Sequence, residues 1–325
     1  MKIGTVGSGP IVSEFIEAAK LVKGVETAAV FSRDGARAAA LAERHSVKKS
    51  YSDKNSFLND GDFDFVYIAL PNSLHFEWAQ DAMLAGKNVI CEKPFVSTAD
   101  ELTRLIKTAR ERQLFLFEAS IVRHLPNYRL VRRSLDRLGE IKFAQANFSQ
   151  YSSRYNAFIE GRNPNVFSPE FSGGALMDLN CYNLNFLLGL FGAPENIEYT
   201  PNMAENGIDT SGVLVLKYNG MTAVAVAAKD SGSKSFVQIQ GTRGYIYVHG
   251  ESGLCRSFTV FTKTGEETFD VQGSKPVMTY EISDFEEIFR SRDFERRDAL
   301  LNDSLRTAVW LEKARRGAGI RFASD

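Results

Sequence analysis

The stretch from Val66 to Pro94 constrains the fold more than any other part of the sequence. It reads VYIALPNSLHFEWAQDAMLAGKNVICEKP, so two apolar runs, VYIAL and NVIC, flank a segment with apolar residues at helical spacing. Uninterrupted apolar runs of this length are typical of parallel strands buried on both faces. Between them, Ser73 stands where a helix N-cap is expected and Gly86 at the C′ position. The pattern predicts a β–α–β unit, whose two strands end at the same edge of a parallel sheet.

The second of these strands brings Glu92, Lys93 and Pro94 to that edge, where open α/β sheets bind their ligands. An ammonium group beside a buried strand end is costly to desolvate unless it is paired. Lys93 is therefore a candidate site residue. The same residues also fit a solvated elbow, and taken alone they favour neither interpretation.

A glycine turn follows the first apolar run of the chain. Lys2–Val6 leads into Gly7-Ser8-Gly9-Pro10-Ile11-Val12, which is G-x-G-x-x-V, with valine where a small residue is usual. Gly7 can form the tight turn, and Gly9 lets the backbone approach a pyrophosphate at the N-terminus of the next helix. Strand, turn and helix follow in the order that a dinucleotide-binding site requires.

The second predicted strand, Val25–Phe31, ends where such a fold meets the adenosine ribose. The residues there are Ser32, Arg33 and Asp34. A serine followed by an arginine suits a 2′-phosphate, which the guanidinium can bind in a bidentate manner, so we expect NADP, with NAD possible. The alternative is that Arg33 is a solvated loop residue and Asp34 caps the next helix.

The two parts of the chain differ in pattern. Repeated β–α units predict a Rossmann domain, a doubly wound parallel sheet, over residues 1–119. From 120 to 325, strand-like runs joined by glycine turns predict an α+β domain with a large, mostly antiparallel sheet, for substrate binding and oligomerisation. The predicted fold class is α/β with this second domain.

A second candidate group lies in the segment GGALMDLNCYN, in which Asp178 and Tyr182 are four residues apart. On a helix they would share one face. Placed opposite Lys93, they would form a proton-transfer group: the ammonium lowers the pKa of the phenol from about 10, and the carboxylate fixes the geometry. The alternative is a core helix whose tyrosine hydroxyl simply finds a partner.

Composition excludes several functions. The formal net charge is −1 with both signs dispersed, so no global field attracts nucleic acid or anionic membrane. Three distant cysteines and four scattered histidines do not form a metal-binding pattern. The N-terminus has no signal-peptide pattern and no apolar run could span a bilayer, so we expect a cytoplasmic protein.

Taken together, ALPNSLH, GKNVICEKP and GGALMDLNCY resemble the Gfo/Idh/MocA oxidoreductase family. Tyrosine at 182, where many relatives have histidine, is similar to the glucose–fructose oxidoreductase and dimeric dihydrodiol dehydrogenase branch. The resemblance implies a homodimer or homotetramer, and Lys93, Asp178 and Tyr182 as catalytic residues. Asn180 stands where the family has glycine, and we expect it to retain a left-handed turn. The cofactor-binding residues implied are Gly7, Ser8, Gly9, Ile11, Ser32, Arg33, Leu70, Pro71, Asn72, His75 and Glu92.

We therefore expect an NAD(P)-dependent oxidoreductase that transfers a hydride between nicotinamide and a carbonyl or secondary alcohol of a sugar, polyol or related diol. The alternative is a catalytically silent dinucleotide-binding regulator of the same fold. Substrate identity would be set by the loop between Tyr151 and Ser172. Arg154, Arg162 and Asn165 in this loop either meet hydroxyls or carboxylates of the substrate or are surface residues.

Overall fold

The computed structural model describes residues 1–325, which form two compact units. The first comprises Met1–Ala119 and Pro276–Leu305, and the second comprises Ser120–Lys275 and Arg306–Asp325. The strands are β1 (Lys2–Val6), β2 (Glu26–Phe31), β3 (Lys49–Tyr51), β4 (Phe65–Ile68), β5 (Asn88–Glu92), β6 (Leu116–Ala119), β7 (Ile141–Ser149), β8 (Asn196–Met203), β9 (Asp209–Tyr218), β10 (Met221–Ala228), β11 (Phe236–Gly241), β12 (Gly244–His249), β13 (Ser257–Thr262) and β14 (Gly265–Phe269). The helices are α1 (Pro10–Lys20), α2 (Gly35–His45), α3 (Lys54–Leu58), α4 (His75–Leu84), α5 (Ala99–Glu111), α6 (Pro126–Ser134), α7 (Tyr155–Ile159), α8 (Cys181–Phe191), α9 (Met278–Ser291) and α10 (Phe294–Gly317).

The first unit contains a six-stranded sheet in the order β3-β2-β1-β4-β5-β6, and every neighbouring pair is parallel. This confirms the predicted doubly wound sheet, with β4 and β5 side by side. The expected N-cap at Ser73 is wrong. A 3₁₀ turn over Asn72–Leu74 comes first, because the Leu74 amide donates to the Pro71 carbonyl at 2.9 Å, and α4 begins only at His75.

The segment Pro276–Leu305 corrects the prediction that all of 120–325 belongs to the second domain. Its phenylalanines complete the aromatic core beside the parallel sheet. Phe285 stacks on Phe117 with ring centroids 4.5 Å apart, and Phe289 meets Phe65 edge-on at 4.9 Å. Aromatic side chains bury large apolar areas, so this segment joins the sheet that its rings cover.

The second unit contains an eight-stranded sheet in the order β14-β13-β12-β11-β7-β10-β9-β8. Every pair is antiparallel except β7 and β10, as the sequence predicted for a mostly antiparallel sheet. A π-helical turn over Leu176–Asn180 runs into α8, and the Asn183 side chain on α8 donates to the Val226 carbonyl of β10 at 3.0 Å. This bond fixes the turn and α8 to the centre of the sheet.

None of the helices combines the length and apolar character needed to cross a membrane. No three histidine, cysteine, aspartate or glutamate side chains are grouped so that they could hold a metal ion. The three cysteines, Cys91, Cys181 and Cys255, are buried free thiols.

Candidate active site

The glycine turn after β1 leaves room for a bound group. Gly7 has φ of +118°, and a Cβ there would lie 2.4 Å from the Ala69 carbonyl oxygen, so only glycine fits. A Cβ at Gly9 would meet nothing within 4 Å. No side chain caps α1, which starts at Pro10, and an uncapped helix N-terminus of this kind can bind an anion. These features fit a pyrophosphate.

Val12 occupies the third position of the glycine pattern without disturbing the turn. It is fully buried, and one of its methyl groups would lie 3.4 Å from a Cβ at Gly7. Ser8 is exposed and Ile11 is partly exposed. The valine therefore packs under the turn, and the residues on its outer side stay accessible.

The acid and the arginine that follow β2 have different surroundings. Asp34 caps α2 by accepting from the Ala36 and Arg37 amides at 3.0 and 3.2 Å, which confirms the capping alternative for this residue. Ser32 is buried, and its hydroxyl accepts from the Asp34 amide. Arg33 is exposed. The carboxylate is thus occupied by the helix terminus, whereas the guanidinium is accessible.

His75 connects the loops that follow β4 and β5. Its imidazole is fully buried, with Nδ1 3.0 Å from the Pro94 carbonyl oxygen and Nε2 2.9 Å from that of Leu70. Burial lowers the pKa of His75, so the neutral ring donates to one carbonyl at a time. Leu70, Pro71 and Asn72 are partly exposed. Since its ring is enclosed, His75 can influence a bound cofactor only through the loops that it holds.

Lys93 is the one residue between Lys87 and Thr98 that is not buried. The neighbouring Glu92 is buried, and its Oε1 accepts from the Tyr67 hydroxyl at 2.6 Å. Burial raises the pKa of Glu92, although the bond from Tyr67 opposes this shift. The strand end therefore keeps its carboxyl group buried, whereas its lysine is partly exposed.

Glu281 on α9 is a buried acid that the sequence analysis missed. It is fully buried and neither carboxyl oxygen has a hydrogen-bond partner. Burial raises its pKa well above the ordinary value, and the charges of Glu92 and Glu118 raise it further. The signal was its spacing: Glu281 lies three residues after Met278 and four before Phe285, both on the buried face of α9.

Asp178 and Tyr182 are the only residues between Ser172 and Leu188 that are not buried. The Tyr182 ring lies 5.6 Å from that of Phe148, and a Cβ at Gly253 would come within 2.7 Å of it. These contacts hold the ring while its edge remains accessible. The two predicted catalytic residues of this unit are thus both partly exposed, and the turn between them is a π-helix rather than an α-helix.

Asn180 does not form the left-handed turn that we expected. Its φ is −68°, and its side-chain oxygen accepts from the Asn183 amide group at 2.9 Å. The wide π-helical turn continues into α8 with helical backbone, so no residue with positive φ is needed here.

Lys229, directly after β10, was also missed. Its side chain is 2% exposed, and Nζ donates to Asp178 Oδ2 at 2.5 Å. The signal was similar to that for Lys93, because each lysine directly follows a strand.

Asp209 holds the start of the π-helical turn. Its Oδ2 accepts from the Leu176 amide and from the Tyr199 hydroxyl, each at 2.6 Å. Gly174 has φ of +103°, and a Cβ there would lie 2.0 Å from Asp209 Oδ1. Burial raises the pKa of Asp209, and the charge of Lys229 opposes this shift.

A parallel sheet with an open glycine turn after its first strand is the arrangement of a dinucleotide-binding fold. Two family models match the chain: the oxidoreductase family with NAD-binding Rossmann fold over residues 1–120, and the GFO/IDH/MocA C-terminal domain over residues 128–247. The chain belongs to the GFO/IDH/MocA oxidoreductase family.

Curated relatives match most or all of the chain. The chain is 33% identical over 325 residues to scyllo-inositol 2-dehydrogenase (NADP(+)) IolU of Bacillus subtilis, covering 100% of this chain and 99% of that protein. It is 28% identical over 286 residues to trans-1,2-dihydrobenzene-1,2-diol dehydrogenase of Xenopus tropicalis, covering 86% and 84%. Among solved structures, the 3-ketoreductase KijD10 of Actinomadura kijaniata, in complex with NADP and TDP-benzene, has a TM-score of 0.85 at 24% identity, covering 98% and 97%.

Family membership confirms the predicted class, an NAD(P)-dependent oxidoreductase that acts on alcohol groups. It favours this class over the catalytically silent regulator.

Proposed function

We propose that the chain is an NADP-dependent dehydrogenase that oxidises a secondary alcohol of a polyol or sugar, or reduces the corresponding carbonyl. The observation that carries this proposal is the exposure pattern. Lys93, Asp178 and Tyr182 open to the surface within segments that are otherwise buried. The names of relatives, scyllo-inositol 2-dehydrogenase and D-xylose 1-dehydrogenase, support this substrate class.

The preference for NADP is supported by the end of β2. An NAD site commonly uses an acid to bind the ribose 2′-hydroxyl, but the Asp34 carboxylate already caps α2. The exposed guanidinium of Arg33 suits a 2′-phosphate instead. Gly7 and Gly9 would hold the pyrophosphate at the N-terminus of α1.

The bound nicotinamide supplies the hydride donor or acceptor. For alcohol oxidation, Tyr182 takes the hydroxyl proton as general base while the carbon-bound hydrogen leaves with its electron pair as hydride. For reduction, Tyr182 donates the proton to the new alkoxide. Lys93 donates a hydrogen bond to the substrate oxygen and stabilises its negative charge, and Asp178 fixes the substrate orientation.

The test is oxidation of NADPH or NADH, followed by nicotinamide fluorescence, with keto-inositols, aldoses and dicarbonyls supplied one at a time. We expect turnover with NADPH and a polyol-derived ketone. Lys93→Met should lower kcat by about 10²- to 10⁴-fold and leave NADPH affinity unchanged, since it removes a transition-state contact. Lys93→Arg, which keeps the charge, is the matched control and should lower kcat less.

Undiminished turnover in Lys93→Met would contradict the catalytic assignment. Cofactor binding without oxidation of any compound would instead favour the silent regulator. Turnover with NADH alone would show that Arg33 does not select the cofactor.

A homo-oligomer and a cytoplasmic location are part of the proposal. Val213 on β9 and Tyr245 on β12 are exposed large side chains of the eight-stranded sheet, which supports association of that sheet with a second copy. Three buried free thiols support a reducing compartment. Light scattering that gave a monomer would contradict the first point.

A further inference from the structure

Lys229 is a buried cation with three partners. Its Nζ donates to Asp178 Oδ2 at 2.5 Å and to the Val166 carbonyl at 3.3 Å, and it lies 4.8 Å from the centre of the Phe167 ring. Moving an ammonium group out of water is costly unless such partners replace the water. Asp178 supplies the charge, and the aromatic face adds a cation–π contact.

The backbone of Lys229 is fixed on both sides. Its amide donates to the Thr210 carbonyl at 2.8 Å, and its carbonyl accepts from the Ser152 amide at 2.9 Å. The next residue, Asp230, accepts from the hydroxyls of Thr210 and Ser211 at 2.7 and 2.8 Å. The ammonium group is therefore mounted on the end of the sheet rather than on a mobile loop.

The other partners of Lys229 belong to the loop that is predicted to select substrate. Phe167 stacks on Phe158 at 4.8 Å, and the Val166 carbonyl also accepts from the Gly174 amide at 3.0 Å. A Cβ at Gly173 would lie 2.8 Å from the Val166 backbone. The loop thus lies directly against the segment that carries Asp178, and Lys229 bonds to both.

We propose that Lys229 is a positioning residue for hydride transfer, which holds the Asp178 carboxylate ionised and ties it to the loop at Val166 and Phe167. This inference rests on the proposed function. A carboxylate that is bonded to a buried ammonium group orients a substrate hydroxyl but does not take up its proton. Proton transfer is therefore left to Tyr182, and a change at Lys229 acts on catalysis through Asp178.

Three variants separate charge from hydrogen bonding. Lys229→Met removes both, Lys229→Gln keeps a donor without charge, and Lys229→Arg keeps the charge. We expect Lys229→Met to lower kcat by about 10²-fold, because small misplacements of a positioning group cost this much. The KM for the carbonyl substrate should rise about tenfold, as for loss of one hydrogen bond to a charged group, while the KM for NADPH stays unchanged.

The pH–rate profile distinguishes positioning from general damage. Without the cation, Asp178 takes up a proton more readily, so the acid limb of the profile should move to higher pH in Lys229→Met and Lys229→Gln. In Lys229→Arg, the acid limb of the profile should lie at the same pH as in the wild type. The proposal is wrong if the acid limb stays in place in all three variants. It is also wrong if Lys229→Arg lowers kcat as much as Lys229→Met does.

Lys87→Met is the matched control. Lys87 is also a buried lysine, 8% exposed, and it donates to the Phe63 carbonyl at 2.8 Å in the first unit. Its loss tests the effect of removing a buried ammonium group on stability alone. We expect it to lower the melting temperature without moving the acid limb.

A measurement without turnover keeps this inference separate from the proposed function. Hydrogen exchange of the amides at 174–182 should be faster in Lys229→Met than in the wild type and in Lys87→Met. If the wild type turns over no compound, the proposed function fails, and exchange still decides whether Lys229 holds the segment. If Lys229→Met does not fold, Lys229→Gln takes its place in both measurements, and unchanged exchange in the folded variant refutes the role.

Discussion

Each unit has a cluster around an acidic side chain, and the two clusters differ in what faces the carboxyl group. In the first unit, Glu92 accepts from a phenol and Glu281 has no hydrogen-bond partner, and burial raises both pKa values. In the second unit, Asp178 faces the ammonium group of Lys229 at 2.5 Å. Burial alone favours the neutral acid, whereas a cation in contact keeps the carboxylate charged. The proposed role of orienting a polar substrate therefore falls to the second cluster.

The largest effect is expected at Tyr182, next to the charged cluster. Tyr182→Phe removes the hydroxyl that transfers the proton, so kcat should fall by about 10²- to 10⁴-fold. The ring should stay in place against Phe148 and Gly253, so the melting temperature should change little. Steady-state kinetics and calorimetry on the same preparation measure both quantities.

Tyr199→Phe is the control for this substitution. Tyr199 is a buried tyrosine of the same unit, and its hydroxyl donates to Asp209. We expect it to lower stability more than Tyr182→Phe does, and to lower kcat less. A kcat loss of equal size in the two variants would show that Tyr182 has no special part in the chemistry.

The next prediction compares the stability cost of the same carboxylate-to-amide change in both clusters. Asp178→Asn leaves the buried ammonium group of Lys229 without its counter-charge and should cost about 2–3 kcal/mol of unfolding free energy. Glu92→Gln keeps an acceptor for the Tyr67 hydroxyl and removes an acid that burial already disfavours in its charged form. It should cost less than about 1 kcal/mol.

Urea unfolding can assign these effects to each unit, because the chain has two tryptophans. Trp310 lies in the second unit and Trp78 in the first. A Trp78→Phe background therefore reports Asp178→Asn, and a Trp310→Phe background reports Glu92→Gln. Equal losses of unfolding free energy in the two variants would show that the two clusters do not differ in this way.

The fold was largely predictable because its signals are local. Buried parallel strands, the glycine turn and the lysine of the EKP motif each lie within a short stretch. Physical reasoning on that stretch made Lys93 a candidate, and the family resemblance gave it a catalytic role. Asp178 and Tyr182 were predicted from spacing and from family resemblance, and both open to the surface. The π-helical turn between them was not predicted, because a four-residue spacing does not distinguish it from an α-helix.

The missed features depend on contacts between distant parts of the chain. Lys229 is 51 residues from Asp178 in sequence. Glu281 reaches the first unit only because α9 returns to the parallel sheet, where Phe285 stacks on Phe117. Periodicity marks such residues as buried, but a single sequence does not state which partner buries them.

A further effect is a change in the pH dependence of stability at Glu281. Its pKa is raised above the ordinary value of 4.5, so the folded chain retains this proton at pH values where the unfolded chain has lost it. Stability is therefore greatest below that ordinary value and falls as the pH rises towards the folded pKa, by up to about 1.4 kcal/mol per pH unit. Glu281→Gln removes this dependence on pH. The unfolding free energy of the variant should therefore rise relative to that of the wild type between pH 5 and pH 7.

Glu287→Gln on the same helix is the control. The Glu287 side chain is 55% exposed and pairs with Arg296, so its substitution should leave the slope of stability against pH unchanged. Urea midpoints in the Trp310→Phe background give both slopes. If Glu281→Gln and the wild type have parallel slopes, Glu281 is ionised in the folded chain. The acid cluster of the first unit would then need a counter-charge, as Asp178 has, and the contrast between the two clusters would be lost.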